Sequence, residues 1–418
     1  MINEKQHIPS DYKSSPLGII PEDWEVKRVK DVSTIKGRIG YRGYTVEDIV
    51  NDGNGAISLS PSNIVDGKLQ FNSVTSITWE KYYESPEIML CNGDIVMVKT
   101  GSSFGKVAFV DNLPQEATIN PQFVIINNIK CDNKWLCYLF DSDCIQKNVH
   151  KIVVGGAIPT MSQEEIANFK IAVPTLPEQH RIVSILSLWD TAIAKQTALI
   201  EQLALRKRGL MQQLLTGKKR LKGFEGEWKE VRLGEVALVI GGGTPNTSIP
   251  DYWDGNIPWF TPSEIGKNKY VNISERTITE KGLNDSSAKI LPKGTILFTS
   301  RATIGAKAIL TTEATTNQGF QSFVVSNGNN NEFIYYYLDI ILNGIKQRAS
   351  GSTFPEVSAE SLRKISIKIP GINEQNAIAS VLVNADKEIE IQKQKLSSLQ
   401  EQKRGLMQVL LTGKRRVK

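Results

Sequence analysis

KRGLMQQLLTGKKRLK (Lys207–Lys222) and KRGLMQVLLTGKRRVK (Lys403–Lys418) are one basic phrase written twice, 196 residues apart. At that offset PEQHRIVSILSLWDTAIAKQTALIEQLALRKRGLMQQLLTGK, from Pro177, faces NEQNAIASVLVNADKEIEIQKQKLSSLQEQKRGLMQVLLTGK, from Asn373, without a gap and with nearly half of the positions identical. Upstream, GGAIPTMSQEEIANFKIAVP (Gly155–Pro174) faces GSTFPEVSAESLRKISIKIP (Gly351–Pro370) at the same offset. Earlier still the match loosens but keeps its order: GDIVMVKTGSSFGKVAFV from Gly93 against GTILFTSRATIGAKAIL from Gly294, and EDWEVKRVKDVSTIKG from Glu22 against GEWKEVRLGEVALVIGG from Gly226. Such self-similarity decides the architecture before any local reading. Two variable globular regions are each followed by a near-copied segment.

The copied segment has a heptad period. Ile182, Leu186, Trp189, Ile193, Gln196, Ile200, Leu203, Lys207, Leu210 and Leu214 step by four and three alternately. Ile378, Leu382, Ala385, Ile389, Gln392, Leu396, Leu399, Lys403, Leu406 and Leu410 repeat the pattern. This is a coiled-coil seam, interrupted in both copies by a Gln and a Lys, a device that fixes register at some cost in stability. Gly217 and Gly413 stand where a C-terminal cap is expected. A helix from about Glu178 to Thr216 would be ~58 Å long and cannot bury its stripe alone. Pairing the two copies antiparallel, with a globular region at either end, is the economical arrangement; each helix packing on its own globular half is the alternative. The expected fold is therefore α+β: two similar mixed α/β domains separated by two long antiparallel coiled-coil helices in a pseudo-twofold internal repeat, with boundaries at 1–175, 176–222, 223–371 and 372–418.

A length of 418 residues suits two or three domains. The chain is 40% hydrophobic and 22% charged, with no apolar run near the ~20 residues a membrane span needs. MINEKQHIPSDYKSS lacks the apolar stretch of a secretory signal, so a cytoplasmic location is expected. The net charge of +6 is local, because Lys218–Lys222 and Lys414–Lys418 are strongly basic and the remainder is slightly acidic. Such clusters either contact phosphates or are solvated helix ends. Cys91, Cys131, Cys137 and Cys144 show no CxxC spacing and read as buried thiols rather than disulfides or a zinc site.

Within the variable regions DIVMVK, KVAFV and QFVIIN, then TILFTS, AKAIL and SFVV, read as strands, and WLCYLF and FIYYYLDIIL as helices packed on them. The loops Lys99–Lys106 and Ser300–Lys307 combine a basic residue, small hydroxyls and a glycine. Those groups supply phosphate contacts and base-edge hydrogen bonds, although an ordinary tight turn has the same composition. Enzyme motifs fall short. NPQF (Asn120–Phe123) lacks the second proline of the NPP[FY] tetrapeptide of adenine methyltransferases, and GGG at Gly241–Gly243 breaks the dinucleotide fingerprint. PEDWEVK near Pro21 has a nuclease-like pattern, but its Trp24 recurs in EGEWKEV, which indicates packing. GSSFGKV is not a P-loop, and His7, His150 and His180 have no partner at a convincing spacing. No catalytic residue or metal site is expected.

Variable module, long helix ending in KRGLMQQLLTGKKR, second module opened by GEWKEVRLGEV, and second helix ending in KRGLMQVLLTGKRR: this order resembles the specificity subunit of Type I restriction-modification enzymes. PEQHRI, NEQNAI, IPWFTPSEI, TSRATIGA and TNQGFQSF share the resemblance, which spans nearly the whole chain. It implies a non-catalytic DNA-recognition subunit in which each domain reads one half of a bipartite, asymmetric site. The helices would set the unread spacer and dock two modification subunits in pseudo-twofold symmetry. S-adenosylmethionine would belong to those partners, ATP and magnesium to a restriction (motor and nuclease) subunit, and the assembly would be an adenine methyltransferase and ATP-dependent endonuclease. On this reading the candidate DNA contacts are Arg38, Arg42, Tyr44, Asn63, Lys99, Ser102, Ser103 and Lys106 in the first module. In the second they are Thr244, Ser263, Arg276, Arg301, Thr303, Lys307 and Gln321. The first module departs from the second in having Lys99 for the arginine and two more residues before Gly105. A coiled-coil scaffold that never touches DNA is the alternative, and a salt-dependent DNA affinity separates the two.

Overall fold

A computed structural model describes residues 8–38, 43–51, 53–152, 159–301, 303–349 and 355–417. The chain divides into two compact units, one of residues 1–196 and 395–418, the other of residues 197–394. The copied segments fold as uninterrupted helices, Leu176–Leu214 and Ile372–Leu410, and each passes from one unit into the other. No helix among the described residues is long and apolar enough to cross a membrane.

In the first unit a six-stranded sheet runs in the order Thr34–Lys36, Phe123–Asn127, Ile95–Val98, Val107–Phe109, Lys68–Leu69, Ile64–Val65. The expected strands form its centre, where Ile95–Val98 is buried on both sides because successive side chains alternate between faces. Ile95, Met97, Val107, Val124 and Ile126 pack against Trp135, Leu136, Leu139 and Phe140 of the helix Asn133–Asp141. Val96, Val98, Ala108, Phe123 and Ile125 meet Ile57, Leu59, Ala117 and Ile119, which come from a four-stranded sheet.

The second unit repeats this plan. Its five-stranded sheet runs Ala237–Gly241, Gln321–Val325, Ile296–Phe298, Lys307–Leu310, Tyr270–Val271. The helix Asn331–Gln347 covers one face, and Phe260, Leu291 and Phe320 lie on the other with Leu297 and Ala308.

Within each unit the two helix segments run antiparallel, and no seam position of either heptad pattern is exposed. Ile182 and Leu186 share a core with Met407, Leu410 and Leu411. Ile378, Ala379 and Leu382 share one with Met211, Leu214 and Leu215. Each stripe is thus covered by the other copy. The seam lysines are matched rather than left as isolated polar interruptions: Lys403 Nζ lies 2.7 Å from Asp190 Oδ1, and Lys207 pairs with Asp386. Tyr138 and Tyr336 donate to the second oxygen of the same two aspartates, and each ring lies near the lysine, at 5.1 and 5.2 Å.

Gly217 (φ 70°) and Gly413 (φ 71°) end the helices in the left-handed region, as expected. A side chain at Gly413 would also come within 2.4 Å of Pro21. Three residues beyond each glycine stands an arginine that closes a unit. Arg416 donates from Nε and Nη2 to both oxygens of Glu178, at 2.8 and 2.9 Å, and from Nη1 and Nη2 to Asp23. Trp24, fully buried, donates its indole N–H to Glu178 at 2.9 Å. Arg220, Glu374 and Trp228 repeat the arrangement in the second unit, with the arginine at 2.6 and 2.7 Å from the carboxylate. The recurring tryptophan is indeed a packing motif. These two arginines of the basic clusters are structural, whereas Lys218, Lys219, Lys222, Lys414 and Arg415 are exposed.

Arg416→Ala leaves the Glu178 side chain, 3% exposed, with no cation, only the Trp24 indole N–H and the Val417 N–H at 3.4 Å. The variant is expected to lose about 3 kcal/mol of stability, read from urea unfolding of the full chain. Arg416 also hydrogen-bonds Asp23 and holds its carboxyl below the ordinary 3.8. That contribution is present above the unfolded-state value and lost as pH falls through the lowered one, so the variant should show a shallower acid-side loss of stability.

Candidate nucleic-acid interface

Three loops converge at one end of each sheet, and the same backbone bonds hold them in both units. The first follows a buried strand: Ser60-Pro-Ser-Asn63 in one unit, Thr261-Pro-Ser-Glu264 in the other. Its fourth side chain reaches back to the first N–H, Ser60 N to Asn63 Oδ1 at 2.9 Å and Thr261 N to Glu264 Oε2 at 2.6 Å, while proline needs no acceptor at that place. Ser62 and Ser263 are left exposed.

Asn120–Phe123 and Asn317–Phe320 form the second loop. Asn120 N donates to Leu59 O (2.9 Å) and Asn317 N to Phe260 O (3.0 Å), tying the second loop to the first. Each asparagine side chain accepts from the N–H two residues on, Gln122 at 3.0 Å and Gly319 at 2.8 Å, an Asx turn. NPQF is therefore one of two equivalent turns.

The third is the hairpin loop between the central strands. Lys99 N donates to Gln122 O and Ser300 N to Gly319 O, at 2.8 and 2.9 Å. Met161 N and Val357 N donate to Lys99 O and Ser300 O, at 2.9 and 3.0 Å. Gly105 (φ 87°) and Gly305 (φ 102°) close the turns, and a side chain at Gly305 would strike Leu342 at 2.4 Å. These bonds pair Lys99 with Ser300. Bridges from Thr100 to Thr160 and from Arg301 to Glu356 extend the match. The counterpart of Arg301 is therefore Thr100, not Lys99 as expected, and the first loop is longer by one residue rather than two.

In the first unit Ser60, Ser62, Ser102, Ser103, Lys106 and Gln122 line an open groove of about 560 Å³. Of the expected contacts, Ser102, Ser103 and Lys106 are gathered there. Lys99 is half-buried, its backbone committed to the neighbouring loops. Arg38 is part-buried, donates to Ile119 O at 3.3 Å just before the second loop, and burial lowers its pKa. Tyr44 packs on the core formed by Ala56, Ile77 and Tyr82. Asn63 is corrected: it is 4% exposed, and its amide is spent on Ser60, Gln70 and Ser73. Arg42 lies outside the described residues.

In the second unit Thr244 donates to Gln318, and Ser263 shares a 2.9 Å hydrogen bond with Thr261. Arg301 Nε lies 3.4 Å from where a side chain of Gly319 would begin, beside Pro262. Its guanidinium makes no hydrogen bond or ion pair among the described residues. Thr303 is exposed on the same loop. Arg276 is exposed but stacked over the Trp253 ring at 3.5 Å. Gln321 is part-buried within its strand beside Gly241. Lys307 is corrected: it is 8% exposed, paired with Asp339 and placed over the Tyr335 ring, with burial lowering its pKa. The cysteines also divide. Cys131 is buried, which pushes its thiol up to about 12, whereas Cys91 is exposed.

Ser60, Ser62, Gln122 and Gln318 were not anticipated. Their signal lay in the likeness of LSPSNI to FTPSEI, and in the asparagine that opens both NPQF and NQGF.

A family model described as Type I restriction modification DNA specificity domain matches twice, over residues 21–205 and 225–401. The chain is 42% identical over 171 residues to the Type I restriction enzyme MjaIX specificity subunit of Methanocaldococcus jannaschii, a match covering 40% of each chain. It is 27% identical over 440 residues to the putative type I restriction enzyme MjaX specificity subunit of the same organism, covering 98% of this chain and 97% of that one. A chain solved in a structural study of complex assembly and conformational transition of the type I R-M system shares the fold, with a TM-score of 0.63 at 19% identity over 94% of this chain and 99% of that one.

Asn63→Ala removes an acceptor from Ser60 N–H and a donor from two carbonyls, and should cost about 1–3 kcal/mol in urea unfolding. Ser62→Ala, at an exposed position in the same turn, should stay within about 0.5 kcal/mol. Equal effects would show that the turn does not depend on the Asn63 amide.

Proposed function

Because the chain belongs to the type I restriction modification DNA specificity domain family, we propose that it is the DNA-recognition subunit of such a system, each unit reading one half of a bipartite site. One observation carries this reading. The same hydrogen bonds hold the same three loops in both units, and both first loops present a serine, yet the other side chains presented differ: Lys106 and Gln122 in one, Arg301 and Gln318 in the other. A constant frame with exchanged polar side chains is what sequence readout requires, since backbone contacts position a protein on DNA and side chains on base edges specify the sequence. Unlike side chains make the two half-sites unlike.

The chain contributes recognition and no bond-making chemistry. Its helices dock two modification subunits, which carry S-adenosylmethionine and adenine methylation. A restriction subunit using ATP and magnesium joins them for cleavage. The helices also set the number of unread base pairs between half-sites.

Arg301→Ala should weaken DNA binding by about 1–3 kcal/mol and relax base preference in one half-site only, as loss of a bidentate base contact does. Equal loss across all sequences, with a smaller salt slope, would assign the residue to a phosphate; unchanged affinity would remove it from the interface.

The spacer has its own test. Four residues inserted after Ile200 and four after Leu396 lengthen each helix by ~6 Å and turn its far end by about 40°. One base pair advances 3.4 Å and turns about 34° at ~10.5 pairs per turn. The double insertion should keep both half-site sequences and lengthen the spacer by one base pair, as read by mapping methylated sites. An unchanged spacer with retained methylation would show that the helices do not set the distance.

A further inference from the structure

Resting on the reading of both units as DNA readers, we infer that the first unit recognises an adenine through Gln122, at the place where the second unit uses Arg301 for a guanine. The matched bonds make Thr100 the counterpart of Arg301 and Gln122 the counterpart of Gly319. Each unit thus has one long polar side chain and one short partner, but at exchanged positions. In the second unit the arginine passes beside Gly319, whose missing side chain leaves the room: a Cβ there would stand 3.4 Å from Arg301 Nε and 2.8 Å from Pro262. In the first unit the long side chain rises from the second loop, and the glycine is on the hairpin. Gly101 (φ 99°) would place a Cβ 3.0 Å from Gln122 Nε2. The hairpin glycine is the residue after Thr100, and the two units present their long side chain from opposite loops.

The amide of Gln122 is also oriented. Asn120 Nδ2 donates to Gln122 Oε1 at 3.1 Å, while Asn120 Oδ1 accepts from Gln122 N. This leaves one lone pair of Oε1 and both Nε2 hydrogens for a ligand, and Nε2 has no hydrogen bond among the described residues. An acceptor beside a donor, held by a neighbouring amide and facing a groove with Ser60, Ser62 and Lys106, matches the N6–H and N7 of adenine in the major groove. A guanidinium offers donors alone, which suit O6 and N7 of guanine.

The test uses the full chain, co-expressed with its modification subunits, to select from a pool of random-sequence duplex DNA. The wild type should demand an adenine at one position of one half-site and a guanine at one position of the other. Gln122→Ala should lose the adenine preference by about 10- to 100-fold while the other half-site is still selected, which doubles as proof that the variant is folded. Thr100→Arg with Gln122→Gly rebuilds the second unit's arrangement in the first and should change that adenine to guanine. Adenine preference retained in Gln122→Ala, or a loss spread evenly over all positions, overturns the inference while leaving DNA recognition intact. A wild type that enriches no sequence overturns the recognition reading itself and the inference with it.

Discussion

Glu178 and Glu374 sit in the first turns of the two long helices, where the helix dipole favours an anion, but at 3% and 4% residue exposure neither carboxylate can stand without a cation. Each receives a bidentate arginine from beyond the end of the other helix, and a tryptophan N–H from the start of its own module. Midway, Asp190 with Lys403 and Asp386 with Lys207 repeat the exchange. Clamp and seam pair together determine the register, because sliding one helix by a heptad would strand the buried clamp glutamate and part the half-buried seam ion pair. The number of residues between clamp points must then be the same in each copy. This constraint accounts for a copied segment without gaps, while the modules upstream, held by no such count, have drifted in length.

The frame was legible because its determinants are local and periodic. Heptad spacing, the glycine caps, the repeated tryptophan and the apolar strands at Ile95–Val98 and Ile296–Phe298 can each be read within a few residues. The interface was legible only in part. Ser102, Ser103, Lys106 and Arg301 lie on the converging loops, where the polar composition of the sequence put them. Asn63 and Lys307 looked equally available, but nothing in their neighbours announces a buried amide or a lysine lodged on a tyrosine ring. Pairing Lys99 with Arg301 followed chemical likeness. Backbone hydrogen bonds shift the match to Thr100, the residue that faces Arg301 when the strands from Gly93 and Gly294 are laid side by side without a gap.

Shared scaffolding has not kept the interiors alike. On the helix-covered face of the second unit, Lys269 bonds the Tyr336 hydroxyl at 2.6 Å and pairs with Glu332, while Lys307 pairs with Asp339. The corresponding positions of the first unit hold Gly67 and Val107 in place of the two lysines, and Cys137 in place of Tyr335. Asp141, the counterpart of Asp339, is exposed and faces an open cleft of about 370 Å³. Asp190, Lys403 and Tyr138 border the same cleft. On this face the second unit therefore carries ion pairs, Lys269 with Glu332 and Lys307 with Asp339, that the first unit lacks.

The first unit is assembled from residues 1–196 and 395–418, whereas the second is one unbroken stretch, 197–394. During translation at ~5–20 residues per second, the two parts of the first unit emerge roughly 200 residues apart, a delay on the order of 10–40 s. For that interval Ile182 and Leu186 have no covering helix and Glu178 no guanidinium. The unit begun first is thus completed last, after its neighbour has all its residues. On a polysome the waiting stripe faces the same stripe on adjacent nascent chains, and each of those offers the KRGLMQQLL segment as a substitute partner before the proper one has been made. Correct closure is then a contest between intramolecular delay and intermolecular proximity, decided by ribosome spacing and by whatever shields the nascent helix.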